Sequence, residues 1–198
     1  MKKMIFALIA LMVALPMVAQ DYKIASDDAK PDGSRSISCE LVTTRSFSDK
    51  QVFNLGLTSI TVDIDGVPNT RKYLVLKVVT LAPHKIPEGG VLLVKNVDGE
   101  VLELHALSEG NAMVRKTEWI GSTPIAQYYD MVFYRVTEQD LEFLKKGIVK
   151  FRQETKTGKH EKEYKKEKDI KKVTDVIINH DRLLNEALAT EKSFDSDF

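Results

Sequence analysis

The sequence predicts an α+β fold, built mainly from an antiparallel β-sheet that is sandwich-like or strongly curved. Apolar and polar residues alternate with a period of two through most of the chain between residues 36 and 165, which is typical of strands. The predicted strands follow one another after only a few residues, which leaves no room for the crossover helices of a parallel sheet. Helical spacing predicts a short helix near 138–146 and a C-terminal amphipathic helix packed on the sheet.

A single globular domain over residues 36–190 accounts for these elements, because a chain of 198 residues is long enough to bury one core without staples. Strand 71–82 is apolar on both faces, so we expect it to be central and covered on both sides. The strand candidates are 36–47, 53–64, 71–82, 91–97, 100–107, 112–120, 125–136, 148–155 and 159–165.

Two hairpins have a predicted register. Asp98 and Gly99 suit a two-residue type I′ turn, which would place Leu93 opposite Leu104. In the second hairpin, a four-residue loop over 121–124 would place Ile120 opposite Ile125. The same register would set Arg115 against Asp130, a cross-strand pair of opposite charge.

The two helices are predicted from their end signals and their apolar stripes. Thr137 and Asp140 resemble a capping box, and Gly147 follows two lysines at the other end of the short helix. The second helix is expected over about 169–189, with Asp169 favourably placed at its N-terminus. Its apolar stripe consists of Ile170, Val173, Ile177, His180, Leu184 and Ala187.

The chain begins with a pattern typical of a secretory signal peptide over residues 1–19. Two lysines precede twelve apolar residues, and Pro16 to Ala19 end in a small residue. We therefore expect cleavage near Ala19, export to the periplasm or the cell exterior, and no transmembrane segment after processing. Residues 20–35 are predicted to form a flexible lead, and residues 191–198 a frayed tail.

Composition argues against several kinds of partner and chemistry. The chain has 29 basic and 29 acidic residues, so no global charge favours nucleic acid. Cys39 is the one cysteine, and its strand pattern predicts a buried, inert thiol. We expect no metal and no cofactor, because the histidines lack helical zinc spacing and the Asp63 to Gly66 loop lacks the glutamate of a calcium site.

The segment 145–172 is strongly basic, with twelve Lys or Arg residues against five acids. One interpretation is a binding surface for an acidic protein or glycan of the cell envelope, with Lys162, Lys165 and Lys166 as its binding residues. The alternative, which we favour, is a solvated edge strand that its lysines protect from aggregation. A related possibility is that aromatic residues of the second hairpin stack on sugar rings, although most should lie in the core: Trp119, Tyr128, Tyr129, Phe133 and Tyr134.

The stretch from Thr137 to Arg152, followed by Tyr164 to Lys168 and a terminal helix, resembles the uncharacterised secreted proteins of Bacteroides and relatives. The Ala19-Gln20 junction is similar to a cleavage site of that group. The resemblance covers about the last third of the chain. It implies a periplasmic or secreted α+β domain of unknown function in a Gram-negative cell, and it brings no functional residues with it.

Two functions from different classes are consistent with these patterns. Export, segregated charge and the lack of a catalytic signature in the sequence favour a non-enzymatic binding or interaction protein of the bacterial cell envelope. The alternative is a secreted hydrolase acting on a polysaccharide or another envelope polymer. It would need carboxylates such as Glu103 and Glu118 to meet on neighbouring strands.

Overall fold

The computed structural model describes residues 22–44, 51–120 and 123–190. It has the predicted α+β architecture, in which mainly antiparallel strands form a strongly curled sheet and two helices pack beside it. None of the helices in these ranges is long and apolar enough to cross a membrane. The predicted signal peptide and the tail 191–198 lie outside the described residues.

The large sheet contains the longest strands of the protein. Its central strand β5 (Val67–Thr80) pairs with β4 (Val52–Ile64) on one side and β11 (Thr123–Val136) on the other. Residues 72–76 of β5 are all buried, which confirms the prediction of a central strand covered on both faces. The remaining strands of this sheet are β1 (Ile24–Ala29) and β2 (Arg35–Cys39) beyond β4, β3 (Val42–Thr43) paired with β4, and β10 (Met113–Ile120) beyond β11.

A smaller sheet covers part of the inner face of the large one. Its strand order is β13 (Gly158–Glu163), β12 (Ile148–Thr155), β7 (Val91–Asn96) and β8 (Val101–His105). Two short strands, β6 (Lys85–Ile86) and β9 (Gly110–Asn111), pair with each other. The core between the layers includes Leu55, Leu74, Leu92, Tyr134 and Phe151, all fully buried.

The C-terminal helix α2 (Glu167–Ala189) packs against β2, β4 and β12 as predicted. Val173, Ile177 and Leu184 of its apolar stripe are fully buried. The helix starts two residues earlier than the sequence indicated. At its other end Arg35 of β2 donates hydrogen bonds to the carbonyl oxygens of Ala187 and Thr190, which satisfies the end of the helix.

The short helix α1 (Glu138–Lys145) has the predicted capping box. The Thr137 hydroxyl accepts from the Asp140 N–H at 3.2 Å, and the Asp140 carboxylate accepts from the Thr137 N–H at 2.8 Å. After the helix, Gly147 has φ of 126°, a conformation that favours glycine. The local signals alone were therefore sufficient to predict this helix.

The prediction of a flexible lead over residues 20–35 is wrong in part, because Ile24–Ala29 form β1 and pair with β2. This strand lacks a strong apolar alternation, so its sequence gave little signal. Backbone pairing holds it in place, together with an ion pair at 2.9 Å between Arg35 Nε and Asp27 Oδ1. The predicted strand 36–47 also breaks at Glu40, whose N–H donates to the Lys23 carbonyl instead.

The predicted register of the first hairpin is wrong by one residue. Leu92, not Leu93, lies opposite Leu104. Gly99 has φ of 85°, and among the described non-glycine residues only Asp65 has a positive φ. Asp98 does not adopt the left-handed conformation that a type I′ turn requires, and the loop takes three residues, 97–99. The pairing is therefore shifted by one residue, so the side chains of β7 lie on the opposite face, relative to those of β8, from the one predicted.

The predicted register of the second hairpin is wrong by two residues. Ile120 pairs with Thr123, and the register shifts between Val114 and Lys116. Arg115 therefore lies at a bulge and not opposite Asp130. Asp130 belongs to the part of β11 that pairs with β5, and its side chain is fully buried.

Candidate functional site

The structure separates the three lysines of the predicted binding surface. Lys162 is only 7% exposed, and its ammonium lies 5.4 Å from the ring centroid of Tyr164. Lys165 is exposed with its ammonium 3.7 Å from Glu163, and Lys166 precedes the first turn of α2. The three side chains consequently do not form one exposed basic surface.

Strand β13, which contains Lys162, is an edge strand of the small sheet, as the alternative interpretation predicts. Cations of β13 and of its neighbour β12 meet at Glu161 of β13. Lys150 and Lys159 both lie 3.3 Å from this carboxylate. A hydrogen bond from Arg152, with these two lysines, lowers the pKa of Glu161 to about 2. The basic segment is therefore partly neutralised by its own acids.

Two of the four histidines meet in a buried polar cluster between the two sheets. The rings of His84 and His160 lie edge to face, with centroids 4.4 Å apart. His84 Nε2 lies 3.0 Å from Asp130 Oδ2, and its Nδ1 lies 3.1 Å from the Thr80 hydroxyl. Nothing in the sequence indicated this group, because its members come from strands and a loop that only the fold brings together.

The hydrogen bonds around His84 place a proton on its Nδ1. The Thr80 hydroxyl donates its proton to the Ala82 carbonyl at 2.7 Å, so His84 Nδ1 must donate to the Thr80 oxygen. Burial alone would lower the pKa of His84, but its contact with Asp130 raises the pKa above the ordinary value. Burial, and then the positive charge of His84, lower the pKa of His160 to about 4, which leaves His160 neutral.

This cluster lacks the access that a catalytic site needs. The side chains of His84 and Asp130 are 3% and 0% exposed. His160 and Gln153 are buried on the opposite sheet, so the cluster joins the two layers. No group of three His, Cys, Asp or Glu residues in the described ranges is arranged to hold a metal ion.

The acidic residues considered in the sequence do not converge on one site. Asp63 accepts the Gly66 N–H at 2.6 Å in the β4–β5 hairpin turn, as expected for a turn and not a calcium loop. Glu103 and His105 form an exposed pair at 3.2 Å on β8. Glu118 belongs to β10 of the other sheet, so it and Glu103 are not on neighbouring strands.

The other predicted core groups are buried. Cys39 is buried, which confirms that part of its prediction, and desolvation raises the pKa of its thiol to about 12. His180 is fully buried, and desolvation lowers its pKa to about 4. Neither ring nitrogen of His180 has a hydrogen-bond partner among the described residues. Its ring instead packs edge to face on Tyr22 at 5.6 Å.

A different surface has the features of a binding site, namely the side of β4, β5 and β11 that turns away from the core. Register pairs place alternate residues of the three strands on this side. We call it the outer face. It consists of Val52, Asn54, Gly56, Thr58 and Ile60 on β4, Arg71, Tyr73, Val75, Lys77 and Val79 on β5, and Tyr129, Met131, Phe133 and Arg135 on β11.

The outer face combines positive charge with accessible apolar groups. It carries three cations, Arg71, Lys77 and Arg135, and no carboxylate. Met131 is 45% exposed and Phe133 is half-buried, whereas Tyr73, Val75 and Val79 on the central strand of this face are buried. The Lys77 ammonium lies 4.3 Å from the ring centroid of Tyr129, a cation–π contact. In a chain with equal numbers of acids and bases, this face is locally cationic.

A pocket of about 390 Å³ opens at one end of the outer face. Lys72 and Val136 form the last pair between β5 and β11. There β11 turns into α1, whereas β5 extends back to Thr70 with β4 as its remaining partner. The separation of the two strands creates the opening. Its lining residues are Thr70, Arg71, Lys72, Arg135, Val136, Thr137, Glu138 and Asn185.

The two arginines of this pocket differ from the lysine between them. Lys72 is buried and its ammonium contacts Asp181 at 2.7 Å and Glu138 at 3.1 Å. Arg71 and Arg135 are exposed, and neither forms an ion pair within the described residues. Arg71 Nε donates to Asn69 at 3.1 Å, which leaves the two terminal amino groups of its guanidinium available.

A second pocket, of about 600 Å³, lies against α1 and has the opposite charge. Its lining includes Glu100, Glu138 and Glu142 with one lysine, Lys146. Lys146 already contacts Glu100 at 2.9 Å. An acidic partner would therefore be repelled from this pocket and attracted to the outer face.

Sequence reasoning missed the outer face, although the alternation of residues within each of its strands was visible. Read with a period of two, Arg71, Tyr73 and Lys77 share one side of a strand, and Phe133 and Arg135 share one side of another. The pairing of these two strands, which brings the cations together, could not be read from either segment alone.

Comparison with known proteins adds no relative. No family model matches the chain, and no curated protein and no solved structure matches it. The resemblance to secreted Bacteroides proteins stays a prediction.

Proposed function

We propose that this protein is a non-enzymatic binding protein of the bacterial cell envelope, and that it binds an acidic polymer on its outer face. The observation that carries this proposal is the composition of that face, which has Arg71, Lys77 and Arg135 and no carboxylate. Charge of one sign on a surface favours partners of the opposite sign and excludes like-charged ones. The proposal includes export, which the signal-peptide pattern of residues 1–19 predicts.

The apolar groups among these cations support a polymer with apolar ring faces. Phe133 and Met131 remain accessible between Lys77 and Arg135, whereas large apolar side chains at the centre of a sheet are usually covered. Aromatic side chains stack well on flat apolar surfaces, and sugar rings present such surfaces. We therefore propose an acidic glycan as the partner class.

The placement of the titratable groups supports binding without turnover. Glycoside hydrolysis needs two carboxyl groups within about 5 to 10 Å across an accessible site, and the outer face carries no carboxylate. The buried histidine pair and Asp130 lie under the opposite face of the large sheet, where a polymer does not reach them.

Cross-linked polygalacturonate beads provide a test with a defined acidic polymer. Residues 20–198 should bind the beads, and 1 M salt should release the protein because screening shortens the reach of its charges to about 3 Å. The double variant Lys77→Gln, Phe133→Leu should bind at least tenfold less. Its matched control is Lys95→Gln, Phe143→Leu, which removes one lysine and one ring outside the outer face and should bind as wild type.

The same protein is then incubated with soluble polygalacturonate, whose chain length should remain unchanged. Shortened chains would contradict a non-enzymatic role. Failure of the wild type to bind the beads, or equal loss of binding in both double variants, would contradict the outer face as the binding surface. Thermal unfolding of each variant verifies that it is folded.

A further inference from the structure

The geometry points to an oxyanion site in the Arg71–Arg135 pocket, which we propose takes the carboxylate or sulfate group of one acidic sugar unit. This inference rests on the proposed function and adds where the charge of the glycan binds. It concerns the pocket of about 390 Å³ at the end of the outer face. That volume lies at the lower end of the range for small-ligand sites, which is about 300 to 1,000 Å³.

The strand register places the two guanidinium groups on the same side of the sheet and close together. Arg135 lies directly opposite Tyr73, and Arg71 is two residues before Tyr73 on the same strand. Such diagonal neighbours are about 7 to 8 Å apart at their backbones. Long arginine side chains at this spacing can converge on one oxyanion.

The available donors fit an oxyanion better than a neutral group. The terminal amino groups of Arg71 are unused, Arg135 has no partner among the described residues, and both side chains are exposed. A guanidinium binds carboxylate or sulfate through two parallel hydrogen bonds, which makes arginine the preferred residue for such ligands. The exposed Asn185 of α2 adds an amide donor at the pocket wall.

A third cation, Lys72, also lines the pocket, but its ammonium is already paired with Asp181. Glu138 is the one carboxylate of the lining, and it already contacts Lys72 at 3.1 Å. Among the described residues no carboxylate is paired with the two guanidinium groups, and an external anion would fill that role.

A sugar is favoured over an acidic peptide because of what surrounds the arginines. Tyr73 is directly opposite Arg135, and Phe133 lies two residues before it on the same face. Tyr73 is buried, so Phe133 is the aromatic side chain that a ligand can reach. A uronic acid or a sulfated sugar carries its anionic group on a ring, so the group can enter the pocket while the ring contacts Phe133. An aspartate or glutamate side chain has no such ring.

Calorimetric titration with four matched ligands tests the site. The ligands are trigalacturonate, its fully methyl-esterified form, a sulfated galactose trisaccharide and triglutamate. We expect binding of trigalacturonate, of the sulfated sugar or of both, and at least tenfold weaker binding of the ester and of triglutamate. Comparison of the first and third ligands identifies which anionic group the pocket prefers.

Four variants locate the binding. Arg71→Gln and Arg135→Gln should each weaken binding of the acidic sugar at least tenfold. Arg135→Lys should recover only part of the loss, because an ammonium keeps the charge without the paired hydrogen bonds. The double variant Lys165→Gln, Lys166→Gln removes two exposed charges elsewhere, and it should bind within twofold of wild type.

Several outcomes would overturn the proposal. These are equal binding of the acid and its ester, equal binding of triglutamate, and arginine variants that bind as wild type. If the arginine variants bind normally while Lys77→Gln, Phe133→Leu does not, the pocket is wrong and the outer face remains the binding surface. If neither the trisaccharides nor polygalacturonate binds the wild type, both proposals fail.

Discussion

Lys72 and Arg71 are adjacent in β5, yet they point to opposite faces of the large sheet and have opposite surroundings. Lys72 is buried and has two carboxylate partners, Asp181 and Glu138. Arg71 is exposed and has no ion pair within the described residues. A buried charge needs an opposite charge within the protein, because water does not solvate it. An exposed charge is solvated by water and is available to a ligand of opposite charge. Charges of the inner face should therefore act on stability, and charges of the outer face on binding.

The largest effect is expected from breaking the compensated group on the inner face. Asp181 is 4% exposed, and its carboxylate contacts both Lys72 at 2.7 Å and Lys145 at 2.8 Å. Asp181→Ala should lower the free energy of unfolding by about 3 to 5 kcal/mol, because it leaves a buried ammonium without its nearest partner. Urea unfolding at pH 7 measures the change.

The matched control is Asp175→Ala on the same helix. Its carboxylate pairs with Lys171 at 2.8 Å in an i,i+4 arrangement near the surface, so the loss should be about 0.5 kcal/mol or less. If the two variants unfold at the same urea concentration, then burial does not govern the inner charges, and the comparison of the two faces does not hold.

The contrast between these faces also shows what the sequence could and could not predict. Helix α1 was predicted nearly to the residue because its signals, a capping box and a terminal glycine, are local. The stripe of α2 was equally visible, since a period of 3.6 needs no knowledge of a partner. Both hairpin registers were wrong, because turn type and bulges decide which residues face each other.

The candidate site depended on the missing information. Arg71 and Arg135 are 64 positions apart in the sequence, and only the pairing of β5 with β11 places them on one side. The sequence did indicate a site for an acidic partner, but it pointed to Lys162, Lys165 and Lys166 because charge density along the chain is all that composition reveals. Burial of Lys162 and the pairing of its neighbours could not be seen there.

A second prediction concerns how the stability of the fold depends on pH through its buried histidines. The folded-state pKa values of His180 and His160 are about 4, below the ordinary value of about 6.5. Between these values the unfolded chain binds more protons than the folded one, so stability falls as pH decreases from 6.5 to 4. Each histidine should contribute a loss on the order of 2 to 3 kcal/mol across this window.

His84 does not oppose this trend within the same window. Its pKa is raised in the folded state, so its contribution is fully present below about pH 6.5 and is lost only as pH rises through the folded value. The loss of stability between pH 6.5 and 4 should therefore be caused by the buried, neutral histidines. Of these, His180 is fully buried.

The variant His180→Leu tests this account. It should be as stable as wild type or more stable at pH 7, because no hydrogen bond is lost from the described residues. Its loss of stability between pH 6.5 and 4.5 should be smaller than that of wild type. The control is His105→Gln, which changes an exposed ring and should leave the pH profile unchanged. Parallel profiles for wild type and His180→Leu would contradict burial as the cause.

Substitutions on the outer face should have the smallest effect on the free energy of unfolding when no ligand is present. They also provide the sharpest test of the comparison between the two faces. The double variant Arg71→Gln, Arg135→Gln removes two like charges that have no acid partner among the described residues. Surface substitutions of this kind change the free energy of unfolding by about 0.5 kcal/mol or less. The sign should be favourable, because the two like charges are carried by diagonal neighbours, whose backbones are about 7 to 8 Å apart, and repel each other.

Salt separates this repulsion from a structural role of the arginines. At 10 mM ionic strength the double variant should be slightly more stable than wild type, and at 0.15 M the difference should shrink, since the screening length falls from about 30 Å to about 8 Å. Lys165→Gln, Lys166→Gln serves as the charge-matched control. A loss of more than about 1 kcal/mol in the arginine variant at either salt concentration would mean that these side chains support the fold as Lys72 does. The distinction between a compensated inner face and an outer face open to an external anion would then be lost.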